Sequence, residues 1–82
     1  MKELLTAIVE PLLDQPGKLS IDTHTNEKTG YVVYNIRVAK SDMGRVIGKN
    51  GRIAKVIRTV VRAASARIGE KSAVEIDELD EE

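Results

Sequence analysis

The chain has 82 residues, 41% of them hydrophobic and 32% charged, with thirteen bases balancing thirteen acids, no cysteine, and Tyr31 and Tyr34 as the aromatic residues. That length holds one domain, and a core of this size contributes only about 3–5 kcal/mol of net stability. The composition excludes a disulfide framework and zinc–thiolate sites, and no apolar run is long enough for a membrane span.

The formal net charge of zero conceals a strong segregation. Residues 1–36 carry three bases against five acids, residues 37–71 carry ten bases against two acids, and residues 72–82 carry six acids and no base. A basic middle between acidic ends has the character of a local surface for an anionic ligand. By charge alone it also fits a solvated, lysine- and arginine-rich helix face.

Leu4, Leu5, Ile8, Val9, Leu12 and Leu13 recur at the spacing of one helical face, which predicts an N-terminal helix within residues 1–16. Pro11 lies inside that pattern and is expected to kink the helix or end its first half, and Gln15-Pro16-Gly17 stops it. Leu19, Ile21 and Thr23 alternate with polar residues, as a strand with one buried face does. The polar run Thr25 to Gly30 makes a turn, and Val32, Tyr34, Ile36 and Val38 line one face of a second strand, completing a hairpin. Ser41 or Asp42 can cap a short helix running through Ile47, with Gly48 as its left-handed stop.

A long helix follows Gly51. Ile53, Val56, Ile57, Val60, Val61, Ala64 and Ile68 are expected to cover its core side, with Lys55, Arg58 and Arg62 near the opposite side. Gly69 ends it, and Ala73 to Asp77 reads as a third strand with Val74 and Ile76 on one face. Residues 78–82 form an acidic tail that is expected to fray. The predicted class is α+β, in the order α-β-β-α-α-β. The whole chain, 1–82, is one domain with its helices on one face of a three-stranded sheet, because each strand offers a single apolar stripe.

The segment from Arg45 to Ile53 carries the chemistry. Gly48 and Gly51 bracket a tight turn between two helices, where a missing Cβ lets a phosphate approach the main chain. The amides that open the following helix and its dipole favour an anion at the same place. Lys49 and Arg52 add full charges there, and Arg45 lies one short helix earlier.

Val46-Ile47-Gly48-Lys49-Asn50-Gly51 resembles the signature of the KH family, an apolar pair followed by Gly-X-X-Gly between two helices. The element order resembles the type II, bacterial arrangement, and the opening Leu-Leu-x-x-Ile-Val pattern looks like the small stand-alone KH proteins of the KhpA type. The resemblance spans nearly the whole chain. It implies single-stranded RNA as partner, gripped along about four nucleotides by Gly48, Lys49, Asn50 and Gly51. Arg52, Arg45 and Lys55 would be nearby cations, and the bases would lie in a groove between the two central helices and a strand edge, with Ile47 and Ile53 as candidates for its apolar floor. It further implies an RNA chaperone or post-transcriptional regulator in the bacterial cytoplasm, a homodimer, and pairing with a second KH protein of the Jag/KhpB type. The alternative is an interaction subunit whose KH fold serves chiefly to assemble such dimers.

Other readings lack their residues. A nucleotide-hydrolysing P-loop needs four residues between its glycines and then Lys-Ser/Thr, whereas Gly44 to Gly48 encloses three and Asn50 follows Lys49. His24 is the single histidine, and no serine has a histidine within local reach. No catalytic residues, metal ligands or cofactor are therefore expected. A chain with two tyrosines as its aromatics also cannot build the stacking platform of other single-strand binders.

Overall fold

The computed structural model describes residues 1–79. It contains three helices, α1 (Lys2–Val9), α2 (Met43–Ile47) and α3 (Arg52–Arg67), and three strands, β1 (Ser20–Thr25), β2 (Val32–Val38) and β3 (Ser72–Glu78). The strands form one sheet in the order β1-β2-β3. β1 runs antiparallel to β2, with Ile21 opposite Ile36, and β3 runs parallel to β2, with Tyr34 beside Val74 and Ile36 beside Ile76. The α+β order predicted above is the observed one.

The core joins Leu5, Val9 and Leu13 to Ile21, Tyr34, Ile36 and Val38 of the sheet and to Val46, Ile57 and Val61 of α2 and α3. Alternation along β2 sends Tyr34, Ile36 and Val38 toward the helices. The opposite face of the sheet is largely polar, with Val33 as a buried exception. There Asn35 is buried, with its amide nitrogen donating to Asp77 (2.9 Å) and Glu75 (3.3 Å) and its oxygen accepting from Arg37 Nε (2.8 Å). Each hydrogen-bonding group of this buried amide is thereby partnered, as burial requires.

Several local expectations are corrected. The N-terminal helix stops at Val9 instead of reaching residue 16. Glu10–Leu12 tightens to a 3-10 turn, Leu13 is extended, and Pro16–Lys18 forms a second 3-10 turn. Pro11 has no N–H for the Ala7 carbonyl and its ring crowds that carbonyl, so the α-ladder cannot pass it. In β1, Ile21 is buried but Thr23 is exposed, because α1 and the turn after it cover only the start of that edge strand.

In α3 the buried residues are Ala54, Ile57, Val61 and Ser65, while Val56 and Ile68 are exposed. The core side is thus rotated from the line through the largest apolar residues, because a close helix-to-sheet approach favours the small side chains of Ala54 and Ser65. The third strand is longer than predicted and runs through Glu78, and the amide of Leu79 still donates to the Val38 carbonyl at 2.8 Å. The rest of the expected acidic tail, residues 80–82, lies outside the described residues.

Candidate nucleic-acid interface

The connection between α2 and α3 is built by three positive-φ residues in four positions. Gly48 has φ 75° and ψ 175°, Asn50 φ 58° and ψ 26°, and Gly51 φ 74° and ψ 14°. Gly48 is therefore not the left-handed helix stop the sequence suggested; it occupies a region reserved almost entirely for glycine. Asn50 and Gly51 take the left-handed helical conformation instead, which asparagine tolerates better than most residues.

Close packing gives Gly48 a second constraint. A Cβ on it would collide with Cγ1 of Ile53 and lie 2.9 Å from both the Cβ and the backbone nitrogen of that residue. At Gly51 a Cβ would meet nothing within 4 Å, so the backbone angle alone favours glycine there. The Gly48 amide donates to the Gly44 carbonyl (2.9 Å), closing α2, and the Gly51 amide donates to the Gly48 carbonyl (3.2 Å), closing the turn.

The loop's polar residues face solvent. Lys49, Asn50 and Arg52 are exposed, as is Lys55, which follows Arg52 by one turn of α3. The 16-residue α3 opens at this loop, so its positive dipole end coincides with the charges of Lys49 and Arg52. Ile47, at the end of α2, is also exposed, so it is free to line a binding surface, whereas Ile53 is partly buried against the core.

Arg45 is placed differently from the free cation imagined from sequence. Its Nε lies 3.3 Å from Oδ1 of Asp42, with 57% of its side chain still exposed. Asp42 itself is fully buried and makes no cap to α2. Its Oδ1 accepts from the Asp14 amide and its Oδ2 from the Gln15 amide, both at 2.9 Å. The carboxylate thus ties the chain leaving α1 to the entry of α2. Sequence reasoning missed this role, because a contact across 28 positions leaves no local signal.

A second basic group lies along α3. Arg58 and Arg62, assigned above to the face opposite the core, line a depression between α3 and β3 together with Tyr31. Tyr34, by contrast, is buried and donates its hydroxyl hydrogen to Oε2 of Glu70 at 2.8 Å, an oxygen that also accepts from the Ser65 hydroxyl at 3.2 Å. Burial, reinforced by the hydrogen bond to Glu70 and its charge, raises the Tyr34 hydroxyl from 10.0 to about 12. Among the described residues no cluster of His, Cys, Asp and Glu has the form of a metal site, and no helix is long and apolar enough to cross a membrane.

Comparison with known proteins places this geometry in context. The family model described as KhpA/KhpB, KH domain, matches residues 2–76. The RNA-binding protein KhpA of Clostridium perfringens is 47% identical over 78 residues, covering 93% of this chain and 99% of that protein. The RNA-binding protein KhpA of Listeria monocytogenes is 45% identical over 78 residues, covering 95% and 100%. Among solved structures, Era of Aquifex aeolicus superposes with a TM-score of 0.59 at 15% identity, over 94% of this chain but 30% of Era. Era in complex with MgGDPNP and a segment of 16S ribosomal RNA superposes with a TM-score of 0.55 at 15% identity, over 93% of this chain and 28% of that one. At such identity these two structures speak to the fold alone.

Proposed function

Because the chain belongs to the KhpA/KhpB KH-domain family, we propose that it binds single-stranded RNA through the Gly48–Gly51 loop. Its role would be that of a cytoplasmic RNA chaperone or post-transcriptional regulator, without enzymatic activity. The relatives are named RNA-binding proteins. The observation that carries the assignment to the loop is the backbone at Gly48, held at φ 75° against Ile53. That conformation turns the chain so that Lys49 and Asn50 project into solvent at the opening of α3, beside Arg52. Two cations and a helix N-terminus at one exposed corner suit a phosphate, and Ile47 offers an apolar contact to a base.

The test is a binding titration with the double variant Lys49→Asp, Asn50→Asp, paired with a thermal melt. Both side chains are exposed and aspartate, like asparagine, is among the residues that adopt the left-handed backbone of position 50, so the fold should change by less than about 1 kcal/mol. Two carboxylates at the phosphate position should reduce affinity at least about a hundredfold, which corresponds to about 2.8 kcal/mol. Wild-type affinity with an unchanged melt would remove the loop from consideration.

Assembly is a second reading with its own observation. We infer that the chain also self-associates, or pairs with a KhpB-type KH protein, through the exposed side of α3. Leu5 and Val9 are fully buried in the chain's own core, which leaves Leu4, 39% exposed, as the large apolar residue that α1 presents to solvent. Val56 of α3 is 57% exposed and Ile68, just past its end, is 72% exposed. Exposed aliphatic residues of this size on a domain with a small core favour a partner. Sedimentation of Val56→Asp against the parent chain tests this, and a loop variant should leave the result unchanged.

A further inference from the structure

β1 is an edge strand with one side unpaired. Among the described residues it bonds to β2 alone, and its six residues keep an unbroken register against Val32–Val38. Natural edge strands are commonly blunted by a lysine, a proline, a bulge or a covering element. Ser20-Ile21-Asp22-Thr23-His24-Thr25 has no lysine and no proline, its register leaves no bulge, and Asp22 to Thr25 are all exposed.

The direction of the unpaired groups follows from the neighbouring bonds. The Asn26 amide donates to the Tyr31 carbonyl at 2.8 Å, and that pair continues the β1–β2 register by one step. The Val32 amide donates instead to the Lys71 carbonyl, on the β3 side. Hydrogen-bonded pairs alternate along an antiparallel ladder. His24, Asp22 and Ser20 therefore bond inward to β2, and the N–H and C=O groups of Ile21, Thr23 and Thr25 point to the free edge. Ile21 belongs to the core under the helices, so Asp22 and His24 share the opposite face of the sheet.

A second copy of the chain satisfies that edge in one register. With Thr23 on a two-fold axis, Thr23 stands opposite its own counterpart and Ile21 opposite Thr25 of the second copy. The outward groups of Ile21, Thr23 and Thr25 are then all bonded. The same register sets Asp22 opposite His24 of the second copy, and His24 opposite its Asp22, at the positions where side chains approach most closely. A ring N–H of each histidine can donate to the facing carboxylate. Asp22 has room to accept, because its ion pair with Arg37 spans 4.0 Å and 59% of its side chain is exposed. Thr–Thr and carboxylate–imidazole partners both favour cross-strand pairing. The covered start of one β1 also falls beside the uncovered end of the other.

We propose that β1 pairs antiparallel with β1 of a second copy about Thr23, joining the two sheets into one. This surface is separate from the exposed side of α3. Because α2 and α3 pack against β3, across the sheet from β1, the Gly48–Gly51 loops stay open and the paired unit presents one from each copy. The pairing is independent of the loop's role in RNA binding.

The chain has no cysteine, so single introduced thiols report the register. Thr23→Cys sets two thiols opposite each other with Cα atoms about 5.5 Å apart, inside the roughly 4.4–6.8 Å range of a disulfide. Thr25→Cys sets them about 14 Å apart, at about 3.4 Å per residue. Under mild oxidation, Thr23→Cys should give cross-linked dimer at least about tenfold faster than Thr25→Cys. Thr23→Lys places two ammonium groups face to face and should raise the dissociation constant measured by sedimentation about fivefold or more, with an unchanged melt. Both comparisons are repeated in Val56→Asp, which removes the contribution of α3, and both should persist there.

Equal cross-linking at positions 23 and 25, or association untouched by Thr23→Lys, overturns the proposal. Loss of the Thr23→Cys cross-link in Val56→Asp also overturns it and assigns all self-association to α3. A Val56→Asp chain that stays monomeric at every concentration overturns it too, and leaves the edge to an extended segment of a different protein.

Discussion

Asp42 holds Arg45 at 3.3 Å while the same carboxylate accepts the amides of Asp14 and Gln15, so one buried side chain links the end of the N-terminal segment to the helix that leads into the loop. Removing either partner has unequal consequences. Asp42→Ala strands two amides that the native fold pairs with a charge, and hydrogen bonds to charged groups are worth about 1.5–3 kcal/mol each. A loss of about 3 kcal/mol is expected in urea denaturation, a large part of the stability of so small a domain. Arg45→Ala removes a half-exposed guanidinium and leaves both amide bonds intact, so it should cost less than about 1 kcal/mol. Equal losses for the two variants would contradict this arrangement.

The two glycines of the loop should also respond unequally. Gly51→Ala meets no neighbour and carries only the left-handed penalty of about 1–2 kcal/mol. Gly48→Ala combines a glycine-only backbone with a collision against Ile53, and about 3 kcal/mol or more is expected. Adding Ile53→Ala to Gly48→Ala should recover little, because the backbone nitrogen of residue 53 stays 2.9 Å from the new Cβ. Equilibrium denaturation of the three variants supplies the comparison.

Tyr34 makes stability fall at high pH. Its hydroxyl is raised from 10.0 to about 12 by burial and by Glu70. The neutral form is therefore favoured by folding: its stabilising effect is complete below about pH 10 and is lost as pH rises through about 12. Two pH units correspond to about 2–3 kcal/mol at 1.36 kcal/mol per unit. Melts between about pH 9 and about pH 12 should show a decline that is shallower in Tyr34→Phe. A parallel decline in both chains would rule out Tyr34 as its source.

The salt dependence of RNA binding should be modest for a short strand. Lys49 and Arg52 are unpaired at the loop among the described residues, whereas Arg45 already faces Asp42. Each phosphate neutralised on a single strand contributes a slope of about −0.7. For an oligomer of about four nucleotides a slope of about −1.4 is expected, measured by titration across a salt series. A slope near zero would mean that the loop makes no phosphate contact.

The α+β class, the hairpin and the loop position were legible because each rests on local signals. Alternation along Val32 to Val38 gives a strand, the polar run before it gives a turn, and Gly48 and Gly51 mark a backbone that few residues adopt. Even the early end of α1 was written locally, in Pro11. The tertiary structure decided what depends on distance. It withdrew Asp42 from helix capping and gave it to two amides 27 and 28 positions away. It turned α3 so that Ala54 and Ser65 face the core and Val56 faces solvent. It also set Arg58 and Arg62 beside Tyr31 across the β3 edge, residues that no sequence spacing connects. Periodicity fixes which residues share a face of a helix, but the neighbour that face meets depends on how the whole chain packs.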